Sequence, residues 1–316
     1  MPFAANLLFG KRHLFCANRN GGFMFKKVLL LIMLTVVMLP AASLAQTGHK
    51  ALMLAVFGTS TEASVTFEEL APLVQKEFPD RTVVVPYTSP VIREKLNAEI
   101  SDPAQKILSP AEMLARLKNE GYTDIAVVST LVFPGVENEK LKAAVDEFSA
   151  ANKGIKVSYT PALLSEQGKL QSVVQTLEKY LLKNGSNIVV AHGTHAGHAS
   201  EQIYLELARL VPQVYPNARV GSIEGVPGRS DALAWAKEQP AEEVRFVVFM
   251  FVAGDHAEND IASAEEGSLF SAVRAMGKNP SVVRVETKDG QRIASLGLDP
   301  DYRNILLDYY LRNAPQ

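Results

Sequence analysis

Half of the six histidines in this 316-residue chain, His192, His195 and His198, fall within the stretch IVVAHGTHAGHASEQIY at 188–204. A fourth, His256, sits in VAGDHAEND at 252–260, and Glu224 sits in SIEGVPG at 222–228. Each lies just past an expected strand: His192 after 187–191, Glu224 after 219–223, His256 after 244–252. In open parallel sheets ligands bind beyond the carboxyl ends of the strands, so residues from three different strands can meet there whatever their separation. Two imidazoles and a carboxylate suit a borderline divalent metal such as Co²⁺, Fe²⁺, Ni²⁺ or Zn²⁺. A lone strand-end histidine is more often a structural hydrogen-bonder, and a lone loop glutamate is usually solvated. The conjunction of His192, Glu224 and His256 is what argues for a metal site. His195 and His198 lie in a glycine-containing turn and read as solvent-facing or as a shallow metal-collecting entrance.

The elements that must position these residues follow an α/β pattern, with apolar runs alternating with helical periodicity, as in a mainly parallel sheet. Strands are expected at 50–57, 82–86, 125–133, 187–191, 219–223 and 244–252. Helices are expected at about 66–78, 110–120 (closed by Gly121), 140–151, 165–183, 200–211 and 230–237, with another after residue 260. A polar stretch at 278–299 precedes a last amphipathic helix at 302–313. The halves repeat in kind: AVFGTST matches VVAHGTH, VVVPYTSP matches VGSIEGVPG, and LVFPGVENE matches MFVAGDHAEND. This comparison sets Tyr87 against Glu224 and Glu137 against His256. The intervals drift, with 29 residues from Gly58 to Tyr87 against 31 from Gly193 to Glu224, then 50 to Glu137 against 32 to His256. Internal duplication predicts two similar α/β lobes with parallel sheets around a central cleft, spanning 46–164 and 165–316, the second carrying the metal site. The GTS after the first strand lacks the glycine spacing and lysine of a P-loop, and neither a Gly-x-Ser-x-Gly elbow nor a zinc-protease helix motif occurs.

Residues 1–45 read as a leader outside the fold. Phe25-Lys26-Lys27 is a basic start, residues 28–39 form a 12-residue apolar run that holds one threonine, Thr35, and Ser43-Leu44-Ala45 is a small-x-small cleavage site. This is the three-part order of a secretory signal peptide, and it is shorter than the roughly 20 apolar residues of a membrane span. Met24, directly before the basic group, competes with Met1 as the start. Removing the five basic residues of the leader from the 32 leaves 27 against 34 acidic ones, a net charge of −7. That balance argues against nucleic acid as a partner. The single cysteine, Cys16, leaves with the leader, so a periplasmic product would have no disulfide and no thiolate ligand. The exported chain must be held by its core.

The motifs AVFGTS, AHGTHAGHASEQIY, SIEGVPG and VAGDHAEND, in that order, resemble the class II chelatases, specifically the anaerobic sirohydrochlorin cobaltochelatases of CbiK type, relatives of ferrochelatase. The resemblance runs from about Lys50 to the C-terminal helix. It implies a two-lobed α/β fold that clasps a tetrapyrrole, sirohydrochlorin, and inserts Co²⁺, with Fe²⁺ as the second candidate, for cobalamin or siroheme-type biosynthesis. The family's metal-binding residues fall on His192, Glu224 and His256, which the resemblance makes catalytic as well, since imidazoles can accept the macrocycle's protons. The metal is then a substrate and no permanent cofactor is implied. Arg93, Lys95 and Arg229, near expected strand ends, are candidate partners for the ring's carboxylates. Family members commonly carry Ser-Trp after the acidic pair that follows this loop, where this chain has Glu265-Glu266-Gly267-Ser268-Leu269. The rival reading is a periplasmic metal- or haem-binding transport protein without turnover. Self-association as a homo-oligomer is left open by the sequence.

Overall fold

The computed structural model describes residues 49–315. The expected signal peptide and its cleavage site lie outside the described residues. Four parallel strands, β1 (His49–Ala55), β2 (Thr82–Val84), β3 (Tyr122–Ser129) and β4 (Lys156–Thr160), form one sheet in the order β2-β1-β3-β4. Another four, β5 (Ser186–Ala191), β6 (Ala218–Ser222), β7 (Glu243–Val248) and β8 (Asn279–Val282), form a second parallel sheet in the matching order β6-β5-β7-β8. The nine helices among the described residues are α1 (Val65–Glu77), α2 (Pro90–Ala98), α3 (Pro110–Asn119), α4 (Val136–Ala151), α5 (Lys169–Gln175), α6 (Glu201–Val214), α7 (Arg229–Glu238), α8 (Leu269–Ala275) and α9 (Pro300–Asn313). An antiparallel hairpin, β9 (Arg284–Thr287) with β10 (Gly290–Ile293), precedes α9.

The central strands are apolar on both faces because helices cover both. Along β1, Leu52 and Leu54 join Phe67, Leu70 and Val74 of α1, while Ala51, Met53 and Ala55 join Met113, Leu114 and Leu117 of α3 and Leu141 and Val145 of α4. β5 divides likewise, Val189 and Ala191 to one side, Ile188 and Val190 to Ala232 and Ala236 of α7 on the other. One face of each sheet enters a common core, together with Tyr302, Leu306 and Tyr310 of α9. Ser89, Ser109 and Asp299 cap α2, α3 and α9, each followed by proline in the first turn, where the missing N–H costs nothing.

The duplication is tighter than the sequence comparison makes it. Thr88 N and Ser89 N donate to Val56 O and Phe57 O, as Ile223 N and Glu224 N donate to Ala191 O and His192 O. Tyr87 N donates to Leu108 O as Ser222 N donates to Pro227 O, and Thr130 N to Ala55 O as Phe249 N to Val190 O. Ser89, not Tyr87, therefore occupies the place of Glu224, and the interval from 57 to 89 equals that from 192 to 224. Phe57 occupies the place of His192, and Glu137 that of His256. The remaining drift is an insertion in the first half, α2 and its connection to α3, which has no counterpart before α7.

Two expectations are corrected. The single helix expected at 165–183 is broken: Gly168 is left-handed (φ +82°), α5 covers only Lys169–Gln175, and a 3₁₀ turn follows at Glu178–Tyr180. The polar stretch at 278–299 holds β8, β9 and β10. Its periodicity is hidden because β8 pairs only with β7, and an edge strand tolerates Pro280 and polar residues. β4, also an edge, was missed for the same reason.

Candidate active site

The loops after β5 and β6 are joined by their backbones. His192 O accepts from Glu224 N at 2.9 Å and Thr194 O accepts from Val226 N at 3.0 Å. This contact excludes side chains at two positions. A Cβ on Gly193 (φ +92°) would lie 1.8 Å from Glu224 O, and one on Gly225 (φ +60°) would lie 1.9 Å from Thr194 O. The glycines of His-Gly-Thr and Glu-Gly are thus what set His192 and Glu224 side by side. His256 follows the next strand, β7, at the start of a π-helical turn, Ala257–Ile261. Such widened turns cluster at functional sites.

The imidazoles of His192 and His256 meet edge to face, with centroids 5.2 Å apart and planes at 79°. His192 Nδ1 is 3.2 Å from Gly193 O, and His256 Nδ1 is 2.7 Å from Asp260 Oδ2. Both rings and Glu224 line one cavity of about 590 Å³, whose opposite wall comes from the first half. The structure thus brings the three sequence-predicted residues to one place. Among the described residues no group of three or more His, Cys, Asp or Glu side chains is closed up around a metal position; the two imidazoles touch each other, and Glu224 lines the same cavity from the adjoining loop.

His195 and His198 line the same cavity. His198 has a structural task that the sequence does not reveal. Ser200 N donates to its Nδ1 at 3.1 Å, and its Nε2 points across to Glu139 Oε1 of α4 at 3.9 Å. Of the three cationic candidates only Lys95 lines the cavity. Arg93 is paired with Glu112 at 3.5 Å, and the Arg229 backbone packs on Gly221.

Sequence reasoning missed three features. Glu137 lines the cavity from the first half, although the repeat had already set it opposite His256. Phe133 stacks on Tyr204 of α6 with centroids 3.9 Å apart, closing the cavity between the halves. Asp260 was readable only as the residue four beyond His256. The first-half wall also carries exposed apolar side chains, Phe57, Val91 and Val136, which line it while 40%, 69% and 48% exposed, beside Thr59, Ser60, Lys95 and Asn138. Near His256, burial pushes the Glu258 carboxyl above its ordinary pKa, and the neighbouring Asp255 and Glu62 charges push it the same way.

The family model described as "Cobalt chelatase (CbiK)" matches residues 50–314. The chain is 27% identical over 261 residues to the sirohydrochlorin cobaltochelatase CbiKC of Nitratidesulfovibrio vulgaris, covering 79% of this chain and 88% of that protein. It is 28% identical over 255 residues to the sirohydrochlorin cobaltochelatase of Salmonella typhimurium, covering 74% and 92%. The fold is similar to that of SirB from Bacillus subtilis solved with Fe³⁺ (TM-score 0.58, 10% identity, 84% of this chain and 96% of that one). It is also similar to the sirohydrochlorin chelatase SirB from Bacillus subtilis subspecies spizizenii in complex with cobalt (TM-score 0.56, 12% identity, 84% and 95%).

Proposed function

The chain belongs to the cobalt chelatase (CbiK) family, and from that premise we propose that it inserts Co²⁺, with Fe²⁺ as an alternative substrate, into sirohydrochlorin held in the cavity between its halves. The observation that carries this reading is that His192 and His256, in ring contact, and Glu224 line one cavity, across from the exposed apolar side chains Phe57, Val91 and Val136. Insertion exchanges one dication for two pyrrole protons. We assign the metal-holding role to His192, His256 and Glu224. As each Nε2–metal bond is given up to a ring nitrogen, the freed lone pair can take a pyrrole proton, so two imidazoles account for two protons. Glu224, and Glu137 opposite, offset the charge of the incoming cation. Phe57, Val91 and Val136 suit the apolar face of a macrocycle, and Lys95 suits one of its peripheral carboxylates.

The test is turnover by the purified, leaderless chain, followed by absorbance. Catalytic conversion of sirohydrochlorin is expected with Co²⁺. A stoichiometric spectral shift without turnover would instead identify a carrier, and rates equal to the spontaneous reaction would remove the enzyme reading. We further propose that the chain works in the periplasm after cleavage behind Ala45. The support is the basic, apolar, small-x-small order of residues 25–45. Fractionation and N-terminal sequencing should find a species beginning at Gln46; an intact chain in the cytoplasm would overturn this.

A further inference from the structure

His256 is held more firmly than His192, and by a side chain that the proposed reaction does not itself use. Asp260 Oδ2 lies 2.7 Å from His256 Nδ1. A carboxylate only accepts, so this contact puts hydrogen on Nδ1 and leaves the Nε2 lone pair uncommitted. The widened turn sets the pair: Ala262 N donates to Ala257 O, five residues back, and Asp260 sits within that turn. The nearest competing carboxylate is occupied elsewhere, since Asn259 Nδ2 donates to Asp255 Oδ1 at 3.0 Å. Among the described residues Asp260 has no Lys or Arg partner that would draw it from the imidazole. His192 has only a backbone carbonyl at 3.2 Å in the corresponding place. The arrangement is not inherited from the repeat. Glu137, which stands where His256 does, is paired with Lys140 at 3.0 Å.

Resting on the chelatase reading of this site, we propose that Asp260 is a positioning residue. It fixes His256 in the Nδ1–H tautomer, aims Nε2 at the metal, and makes His256 the stronger donor of the two imidazoles. Carboxylates in this outer position orient ligand histidines and raise their basicity, and their removal costs about 10- to 100-fold in metal affinity or activity. The weaker His192 is then the ligand released first as the metal passes to the ring.

Two measurements on the leaderless chain test this. Long-range ¹H–¹⁵N correlation of ¹⁵N-histidine-labelled protein, without metal and at about pH 8.5, well above the ordinary imidazole pKa, reads the tautomer directly. His256 should be Nδ1–H in the wild type and move toward Nε2–H in Asp260→Ala. Co²⁺ titration without tetrapyrrole should show affinity falling about 10- to 100-fold in Asp260→Ala. Asp260→Asn, which keeps a carbonyl acceptor but no charge, should keep the tautomer and fall between. It also serves if the alanine variant fails to fold. A tautomer unchanged in Asp260→Ala, or Co²⁺ affinity unchanged in whichever of the two variants folds, overturns the proposal. If both effects appear while the wild type does not turn over sirohydrochlorin, the positioning role stands and the chelatase reading falls.

Discussion

At the residue scale the metal-facing side chains separate by what else they do. His192 and His256 touch each other, and their other ring contacts, to the Gly193 carbonyl and to Asp260, are local ones, so their loss should fall on chemistry. His192→Ala and His256→Ala should each lower chelation by about 10²- to 10⁴-fold and leave the circular dichroism spectrum unchanged. Glu224→Gln keeps its shape and loses its charge; the expected result is a higher KM for Co²⁺ with a smaller fall in kcat, read from initial rates at varied metal. His195→Ala should be mild. His198→Ala should cost stability rather than chemistry, about 0.5–1.5 kcal/mol for the lost hydrogen bond to the Ser200 backbone, seen as a lower midpoint in urea. A His198→Ala variant with normal stability and activity as low as His192→Ala would reverse that division. The trio was readable in the sequence because each member lies in the loop that follows an expected strand. The role of His198 was not, because its partners Ser200 and Glu139 are set by a loop path and by a helix from the other half.

Among the elements, the strand-end loops decide the site and the ion pair beneath the first sheet decides part of the frame. Gly193→Ala would drive a Cβ into the Glu224 carbonyl, 1.8 Å away. The two loops must then part, so activity should fall nearly as far as in His192→Ala, although no metal-facing group is removed. Unchanged rates would mean that the loop junction does not set the ligands. On the first sheet, fully buried Arg81 donates to Asp124 at 2.9 Å and to Ala51 O at 3.2 Å, tying the chain at the start of β2 to β1 and β3. Burial works to raise the Asp124 carboxyl, but the hydrogen bond and charge of Arg81, with Lys156, outweigh it and hold the pKa below the ordinary range. A depressed carboxyl stabilises the fold above its unfolded pKa of about 3.9. That contribution is lost as pH falls through the lower folded value. Asp124→Asn should therefore cost about 3 kcal/mol near neutrality, and urea midpoints should show the loss shrinking toward the acid end. The strands β1, β3, β5 and β7 were readable because central parallel strands are buried on both faces. The edges β4 (KVSYT) and β8 (NPSV) were not, since Lys156, Ser158, Asn279, Pro280 and Ser281 break up their apolar residues, which an edge position tolerates. The broken helix near Gly168 escaped notice because its apolar residues keep helical spacing while the backbone turns left-handed.

Seen as a molecule, the chain has divided the labour of a duplicated sheet. Equivalent strand-end positions carry Phe57, Ser89 and Glu137 in the first half and His192, Glu224 and His256 in the second, so both imidazoles lie in the second half, and the first faces them with Phe57, Val91, Val136 and Glu137. Such a division works only if the halves keep their spacing, and the core enforces this. Leu54 and Val128 of the first sheet and Val189 and Val247 of the second share one cluster with Tyr302, Leu306 and Tyr310 of α9. Tyr310 is fully buried and its hydroxyl donates to Ser129 O at the end of β3, at 2.7 Å. The last helix thus spans the join, and one face of each sheet packs into a core that the halves share. Thermal unfolding of the leaderless chain should then be one transition, with calorimetric and van't Hoff enthalpies equal. Tyr310→Phe keeps the packing and strands a buried carbonyl, for a loss of about 1–3 kcal/mol. Tyr310→Ala also empties the site, for about 3–5 kcal/mol. Both should lower the single midpoint without splitting it. Two resolved transitions in either variant would mean that the halves fold independently, and the fixed spacing of the cavity walls would need another cause.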